Sequence, residues 1–339
     1  MIRLVSVDRF SLPLSTPLET AAGRIEERRG FLVRITDGEH DGIGEATPLL
    51  GWTESESACL SVLEEVTAVS DGELDGIDAP AARHGLSLAL ADLRARREGV
   101  PLAEWFGASP GIDEVATNAT IGDHTAEEVT GRALDAVADG FGTVKLKVGA
   151  RPVTEDADRV SAVRGAIGDG VALRLDANGA WDRETARRAL AALAEFDPEY
   201  VEQPLAATDL DGIEGLDAAV PIALDESLGR SDVERCLDVA DVLVCKPMVL
   251  GGPDRVREIH DRARARETEV VLTTTIDGAV ARLGALALAA SVAPGIAHGL
   301  ATAGFLAGDL GDDRTPVEEG SIRLPSGPGL GIEWGELRV

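Results

Sequence analysis

Thr143-Val144-Lys145-Leu146-Lys147-Val148 alternates polar and apolar side chains, the period-two pattern of a strand with two unlike faces. Its lysines share one face and Leu146 takes the other. Together with Lys246 they are the only three lysines in a 339-residue chain that carries 32 basic side chains. Arginine serves everywhere else. An amine can give up its proton near neutrality when its surroundings lower its pKa, whereas guanidinium stays charged. Random compositional leftovers would fall anywhere, but these lysines interrupt or end apolar runs, which points to proton chemistry.

Similar short apolar runs recur on either side of this one, at residues 115–119, 172–176, 200–202, 222–225, 242–246, 270–274 and 295–297. Helical segments such as 127–138 and 184–195 separate them. Eight strands alternating with helices predict an α/β fold of the (β/α)-barrel type, a modified TIM barrel. A doubly wound open sheet is the alternative, although no GxGxxG follows a first strand. Before residue 110 the pattern differs, with strands expected at 4–7, 31–35 and 42–45 and helical spacing from 54 to 97. Residues 1–110 therefore read as an α+β capping domain and 111–307 as the barrel. The turn-rich segment 308–339, with Pro316, Pro325 and Pro328, is expected to return to the cap.

Sixty acidic residues give a formal net charge of −28. Such a field repels nucleic acid and anionic membranes, so neither is expected as a partner. The acids are spread along the chain (Glu54, Glu64, Glu127, Asp135 and others), as in a solvated, salt-adapted shell. Cys59, Cys236 and Cys245 are odd in number and show no ligand spacing, which fits reduced thiols in a cytoplasmic protein. No segment reads as an export signal or a membrane span. A homo-oligomer is compatible with the composition.

Strand alternation places Arg174 with Asp176 and sends Cys245 away from Lys246. Asp176, Glu202 and Asp225 each end an expected strand, and active sites occupy that end of such barrels. Any one of these acids alone would be read as a cap or an ion pair. As an ordered set they would repel one another without a cation. Hard oxygen donors with no histidine or thiol among them favour Mg²⁺, with Mn²⁺ able to substitute. Lys246 ends the strand after Asp225, across the barrel from Lys145 and Lys147. A metal between opposed amines suits removal of a weakly acidic proton next to a carboxylate, through an enediolate.

These residues resemble the motifs of the enolase superfamily, in its muconate-lactonizing branch. The matching pieces are Lys145-Leu146-Lys147, Leu175-Asp176-Ala177-Asn178-Gly179-Ala180-Trp181, Val201-Glu202-Gln203-Pro204, Ala223-Leu224-Asp225-Glu226-Ser227 and Cys245-Lys246-Pro247, followed by Gly251-Gly252. Within the branch the chain looks most like the o-succinylbenzoate synthases, on Thr273-Thr274-Thr275-Ile276-Asp277-Gly278 and His298-Gly299-Leu300-Ala301-Thr302-Ala303. The resemblance implies a lyase of menaquinone biosynthesis that dehydrates 2-succinyl-6-hydroxy-2,4-cyclohexadiene-1-carboxylate to 2-succinylbenzoate. In that reading Lys147 takes the proton, Lys246 stabilises the enediolate and Lys145 holds a carboxylate oxygen. Asp176, Glu202 and Asp225 bind Mg²⁺, while Arg174, Asn178, Thr273, Thr274 and Thr275 contact the small carboxylate substrate.

An N-succinylamino acid racemase or dipeptide epimerase would keep the same site and use both lysines as bases. A dipeptide epimerase would more typically show Asp-x-Asp after the eighth strand, which His298-Gly299-Leu300 lacks. A Schiff-base lysine aldolase explains the lysines but leaves the acids idle. A barrel kept only for binding would be expected to have lost a ligand or base. His298 reads as structural, as loop histidines commonly are, with substrate contact the alternative. Gly251-Gly252 reads as a tight turn, Glu226 as a structural contact, and polar residues 20–29 as a lid. The acidic shell predicts that thermal stability rises from low to molar KCl as self-repulsion is screened. A melting series with an unchanged midpoint would contradict it.

Overall fold

The computed structural model describes residues 2–20 and 23–338. The chain begins with an antiparallel sheet in the order β1 (Arg3–Thr20), β2 (Gly23–Thr36), β3 (Asp41–Ala46). Phe10, Leu12 and Leu14 are buried while Arg9, Ser11 and Pro13 are exposed, so alternation holds one face of β1 on the core. The hairpin runs much further than the segments 4–7 and 31–35 suggested, pairing as far as Thr20 and Gly23. Prolines at 13 and 17 mask this strand in the sequence, and the register shifts between Pro13 and Leu18.

The helices α1 (Glu56–Glu65), α2 (Asp71–Leu74), α3 (Pro80–Glu98) and α4 (Leu102–Trp105) follow. Proline at the first position starts α3 and Gly99, at φ 72°, stops it. Gly44 lets α3 press onto β3, since a Cβ there would stand 1.8 Å from the Gly85 carbonyl oxygen.

After β4 (Glu114–Ala116) the barrel runs through β5 (Ala119–Ile121), α5 (Ala126–Ala138), β6 (Thr143–Lys147), α6 (Val153–Ile167), β7 (Ala172–Asp176), α7 (Arg183–Leu193) and β8 (Tyr200–Glu202). It continues through α8 (Leu210–Glu214), β9 (Ile222–Leu224), α9 (Val233–Val239), β10 (Val242–Cys245), α10 (Pro247–Leu250), α11 (Pro253–Arg264), β11 (Glu269–Leu272) and α12 (Ala279–Val292). Seven strands form one parallel sheet in the order β11-β10-β9-β8-β7-β6-β5. Tyr200, Ala223, Val242, Val244 and Val271 form one apolar cluster, while the alternate residues Leu175, Val201, Leu224, Leu243 and Cys245 pack in the cluster shared with the helices.

Two expected strands need correction. Residues 115–119 are divided: β4 pairs antiparallel with β13 (Ser321–Arg323), itself paired with β12 (Val317–Glu318), and only β5 joins the barrel. Residues 295–297 form no strand. Closure is made one step later by two parallel bridges, Thr273 to Gly299 and Thr117 to His298. A longer ladder is not needed there, because the His298 ring accepts the Leu272 N–H at 2.9 Å.

Two buried carboxylates join the parts. Glu45 on β3 accepts from Gly278 N at 2.7 Å and Ala281 N at 2.9 Å, capping α12 from the cap side. Asp92 on α3 accepts from Ile43 N at 2.9 Å and from Leu330 N at 2.7 Å, tying the C-terminal segment to α3. Burial pushes Glu45 up to about 7, helped by Asp277, and pushes Asp92 up to about 6 against the pull of Arg96. A carboxyl raised in the folded state keeps its proton where the unfolded chain has lost it. Stability from that proton is present at low pH and falls as pH rises through about 6 to 7. Relative to Glu45→Gln, the unsubstituted protein should lose of the order of 1–3 kcal/mol between about pH 5 and pH 8 in urea denaturation. A pH-independent difference would contradict this.

Candidate active site

The strand ends of the barrel open into a cavity of about 500 Å³ whose lining includes all three lysines and Asp176, Glu202 and Asp225. In-register pairing sets Lys147 beside Asp176 and Asp176 beside Glu202, so these side chains share the barrel face. Lys147 Nζ donates to Asp176 Oδ2 at 2.7 Å and to Asn178 Oδ1 at 2.6 Å. Lys145 Nζ stands 3.0 Å from Asp176 Oδ2 and 2.6 Å from Glu202 Oε2, and donates to Glu202 Oε1 at 2.7 Å. Lys246, the residue after β10, donates to Asp225 and lies 4.0 Å from the centre of the Trp52 ring. Four steps of the sheet separate β6 from β10, so Lys147 and Lys246 rise from opposite walls.

Burial opposes charge on all three carboxyls. It pushes Glu202 up to about 7, with repulsion from Asp176 and Asp225 outweighing Lys145. Asp225 is also raised, by burial and by Glu226, against Lys246. Asp176 goes the other way: Lys145 and Lys147 overcome burial and hold it well below the usual carboxylate range. The expectation that the surroundings lower a lysine's pKa toward neutrality fails for Lys145. Burial does lower it, but Asp176 and Glu202 more than offset this and hold it well above its ordinary value. The amine lies 2.6–3.0 Å from carboxylate oxygens of both acids.

Among the described residues, no three acidic, histidine or cysteine side chains are already gathered around one point as a metal centre. Lysine ammonium groups lie among the carboxylates instead. The donor set nevertheless fits a hard divalent cation. Three buried carboxyls come from adjacent strands, and Glu202 Oε2 is buried without a hydrogen-bond partner, its contact with Lys145 being out of line for one.

The other candidates divide. Asn178, Thr273, Thr274 and Thr275 line the cavity. The hydroxyls of Thr273, Thr274 and Thr275 are held by Gly299 O at 2.9 Å, by Thr302 Oγ1 at 2.9 Å and by Asp277 respectively. Arg174 is absent from the lining. It is 1% exposed and bonds Glu199, Asn118 and the Ala297 carbonyl at 2.8 Å, with its guanidinium over the Tyr200 ring. The structure thus engages it with barrel residues and places it outside the cavity lining, not among the cavity contacts the sequence suggested. His298 is buried, bonded through both ring nitrogens, and lowered to about 4 by burial, so it is a neutral structural residue. Gly251 and Gly252 form the turn into α11, and Glu226 accepts from Asn178 Nδ2 at 3.1 Å. Of the expected lid, Ala21 and Ala22 lie outside the described residues, while Ile25 and Arg28 line the cavity with Leu18.

Sequence reading missed Trp52 and Arg28. Trp52 is one of four tryptophans in a chain that is 3% aromatic, a signal that was available. Arg28 could not be told from Arg24 and Arg29 beside it. In the fold it is buried and donates to Thr47 O at 2.9 Å, Pro48 O at 3.2 Å and Ile276 O at 3.2 Å.

Family comparison agrees with this geometry. Residues 128–337 match the enolase C-terminal domain-like family and residues 2–93 match the MenC N-terminal domain. The chain belongs to the enolase superfamily. It is 31% identical over 98% of its length, and 99% of the relative's, to the L-Ala-D/L-Glu epimerase of Clostridium acetobutylicum. It is 38% identical over 62% of its length, and 67% of the relative's, to the o-succinylbenzoate synthase of Thermobifida fusca. The dipeptide epimerase of Enterococcus faecalis V583, solved with Mg and the dipeptide L-Leu-L-Tyr, superposes with a TM-score of 0.87 at 27% identity, covering 98% of this chain and 99% of that one. Among the described residues no helix is long and apolar enough to cross a membrane.

The new position of Arg174 carries a prediction. Arg174→Ala should cost about 2–4 kcal/mol in urea denaturation, because Glu199, Asn118 and the Ala297 carbonyl lose a buried partner. A full-stability variant with only a raised KM would restore it as a substrate contact.

Proposed function

We propose that this enzyme removes the proton next to a carboxylate in a substrate that carries a succinyl or similar acyl arm. The observation that carries this reading is the placement of Lys147 and Lys246 on opposite walls of one cavity, each against a candidate metal ligand. Asp176, Glu202 and Asp225 would hold Mg²⁺, or Mn²⁺ in its place. The cation supplies positive charge where the substrate carboxylate becomes more negative. Lys147, at the cavity mouth with 33% of its side chain exposed, takes the proton, and Asn178 orients it through the 2.6 Å hydrogen bond. Lys145, fixed on Asp176 and Glu202, stays charged and holds a substrate oxygen. Residues 1–110 with 308–339 would act as the cap and 111–307 as the catalytic barrel.

Two outcomes share this first step. Return of a proton from Lys246 to the opposite face inverts the carbon, as in racemisation of an N-succinylamino acid or epimerisation. The full-length similarity to epimerases favours it. Departure of hydroxide, which leaves as water with the proton Lys147 removed, gives 2-succinylbenzoate from the cyclohexadiene. The threonine run and the 38% identical synthase favour that. A free dipeptide fits less well, since among the described residues the acids lining the cavity are the three candidate ligands, which leaves its ammonium without a further acid in the lining.

Purified protein with Mg²⁺ should exchange the α-proton of an N-succinylamino acid in D₂O, or bleach the cyclohexadiene on aromatisation. The faster reaction identifies the outcome. Lys147→Ala should lower dehydration at least about a thousandfold, and EDTA should abolish both reactions reversibly. Activity that survives EDTA with borohydride trapping would point to Schiff-base chemistry instead.

A further inference from the structure

The segment between β3 and α1 places an aromatic ring over one of the two opposed lysines. Trp52 caps a tight turn in which Trp52 N and Thr53 N both donate to Leu49 O at 2.9 Å, and Thr53 Oγ1 accepts from Leu49 N at 2.8 Å. Arg230, in the loop after β9, fastens this turn to the barrel by donating to Gly51 O at 2.9 Å. On the other side Arg28 holds Thr47 O and Pro48 O, and Glu54 caps α3 by accepting from Ala81 N and Ala82 N. The turn is thus pinned at both ends and in the middle, with the indole directed at Lys246 Nζ, 4.0 Å from the ring centre. A ring face at this distance attracts an ammonium and excludes water from it.

Among the described residues no aromatic ring covers Lys145 or Lys147, and each is bonded to groups on the barrel strands and their ends. The two opposed walls therefore differ: one amine is set by barrel residues alone, the other by Asp225 together with a residue of the cap. We infer that Trp52 is a positioning residue for Lys246, holding its ammonium at the wall so that proton delivery to that face of the substrate depends on the cap. The inference rests on the two-lysine reading above and deepens it by assigning one face to cap control.

The chain's small number of lysines gives a test that needs no substrate. Limited acetylation with acetic anhydride, mapped by mass spectrometry, reads three side-chain amines separately. Trp52→Leu should raise labelling of Lys246 roughly tenfold and leave Lys145 and Lys147 within about twofold, while Trp52→Phe should label nearly as the unsubstituted protein does. In D₂O, Lys246→Ala identifies the substrate enantiomer whose α-hydrogen faces Lys246. Trp52→Leu should slow exchange of that enantiomer roughly tenfold and spare the other. Unchanged Lys246 labelling, equal slowing of both enantiomers, or a phenylalanine variant as impaired as the leucine one would each overturn the inference. A labelling change in a protein that neither exchanges either enantiomer nor dehydrates the cyclohexadiene would uphold the Trp52 contact and overturn the two-lysine reading.

Discussion

Three carboxyl groups buried at the mouth of one barrel are the constraint around which this structure is arranged. Their charges cannot be left uncompensated in a poorly solvated cavity, and the chain has placed its only three lysines among them. Each amine is paired, yet Glu202 remains raised to about 7 by burial and by its acidic neighbours. The pairs are therefore incomplete as a balance of charge. A site that binds positive charge and a negatively charged substrate together would relieve the carboxylates and occupy the amines at the same time. This makes the cluster a better candidate for chemistry than for stability, since buried ion pairs by themselves contribute little net folding energy.

The cavity is not a property of the barrel alone. Leu18, Ile25, Arg28 and Trp52 come from the cap, and Glu45 locks that cap onto the start of α12, immediately after the threonine run. The parts that meet at this junction are far apart in sequence: Glu45 and Gly278 are joined across 233 positions. The charged groups of the cavity and its rim are thus built on different elements. The strands hold the amines and acids, whereas the hairpin and the turn at 49–53 shape what can approach them.

Much of the barrel was legible because its signals are local. Short apolar runs ending in Lys147, Asp176, Glu202 and Asp225 carry both the strand and the position of the chemistry at its end. The weak points were also local in origin. Residues 115–119 look like one strand but serve two sheets, and a histidine ring does part of the work expected of a strand at 295–297. The long hairpin was hidden by its prolines. The depth of Arg174 was not legible because alternation gives its face of the strand only; two residues before Asp176 on the strand, it meets Glu199 and Ala297 and lies off the cavity lining.

From its sequence alone this protein is set as an acidic, lysine-poor barrel of the enolase superfamily with its acids and amines in order along successive strands, because strand period and strand-end position depend only on near neighbours. Tertiary structure decided which of those groups meet. It set Lys145 between two acids and charged, Arg174 beneath the cavity, and Arg28 and Trp52 at its rim. Those outcomes follow from distance and burial between segments that lie from 19 to 248 positions apart in the chain, which no local pattern encodes.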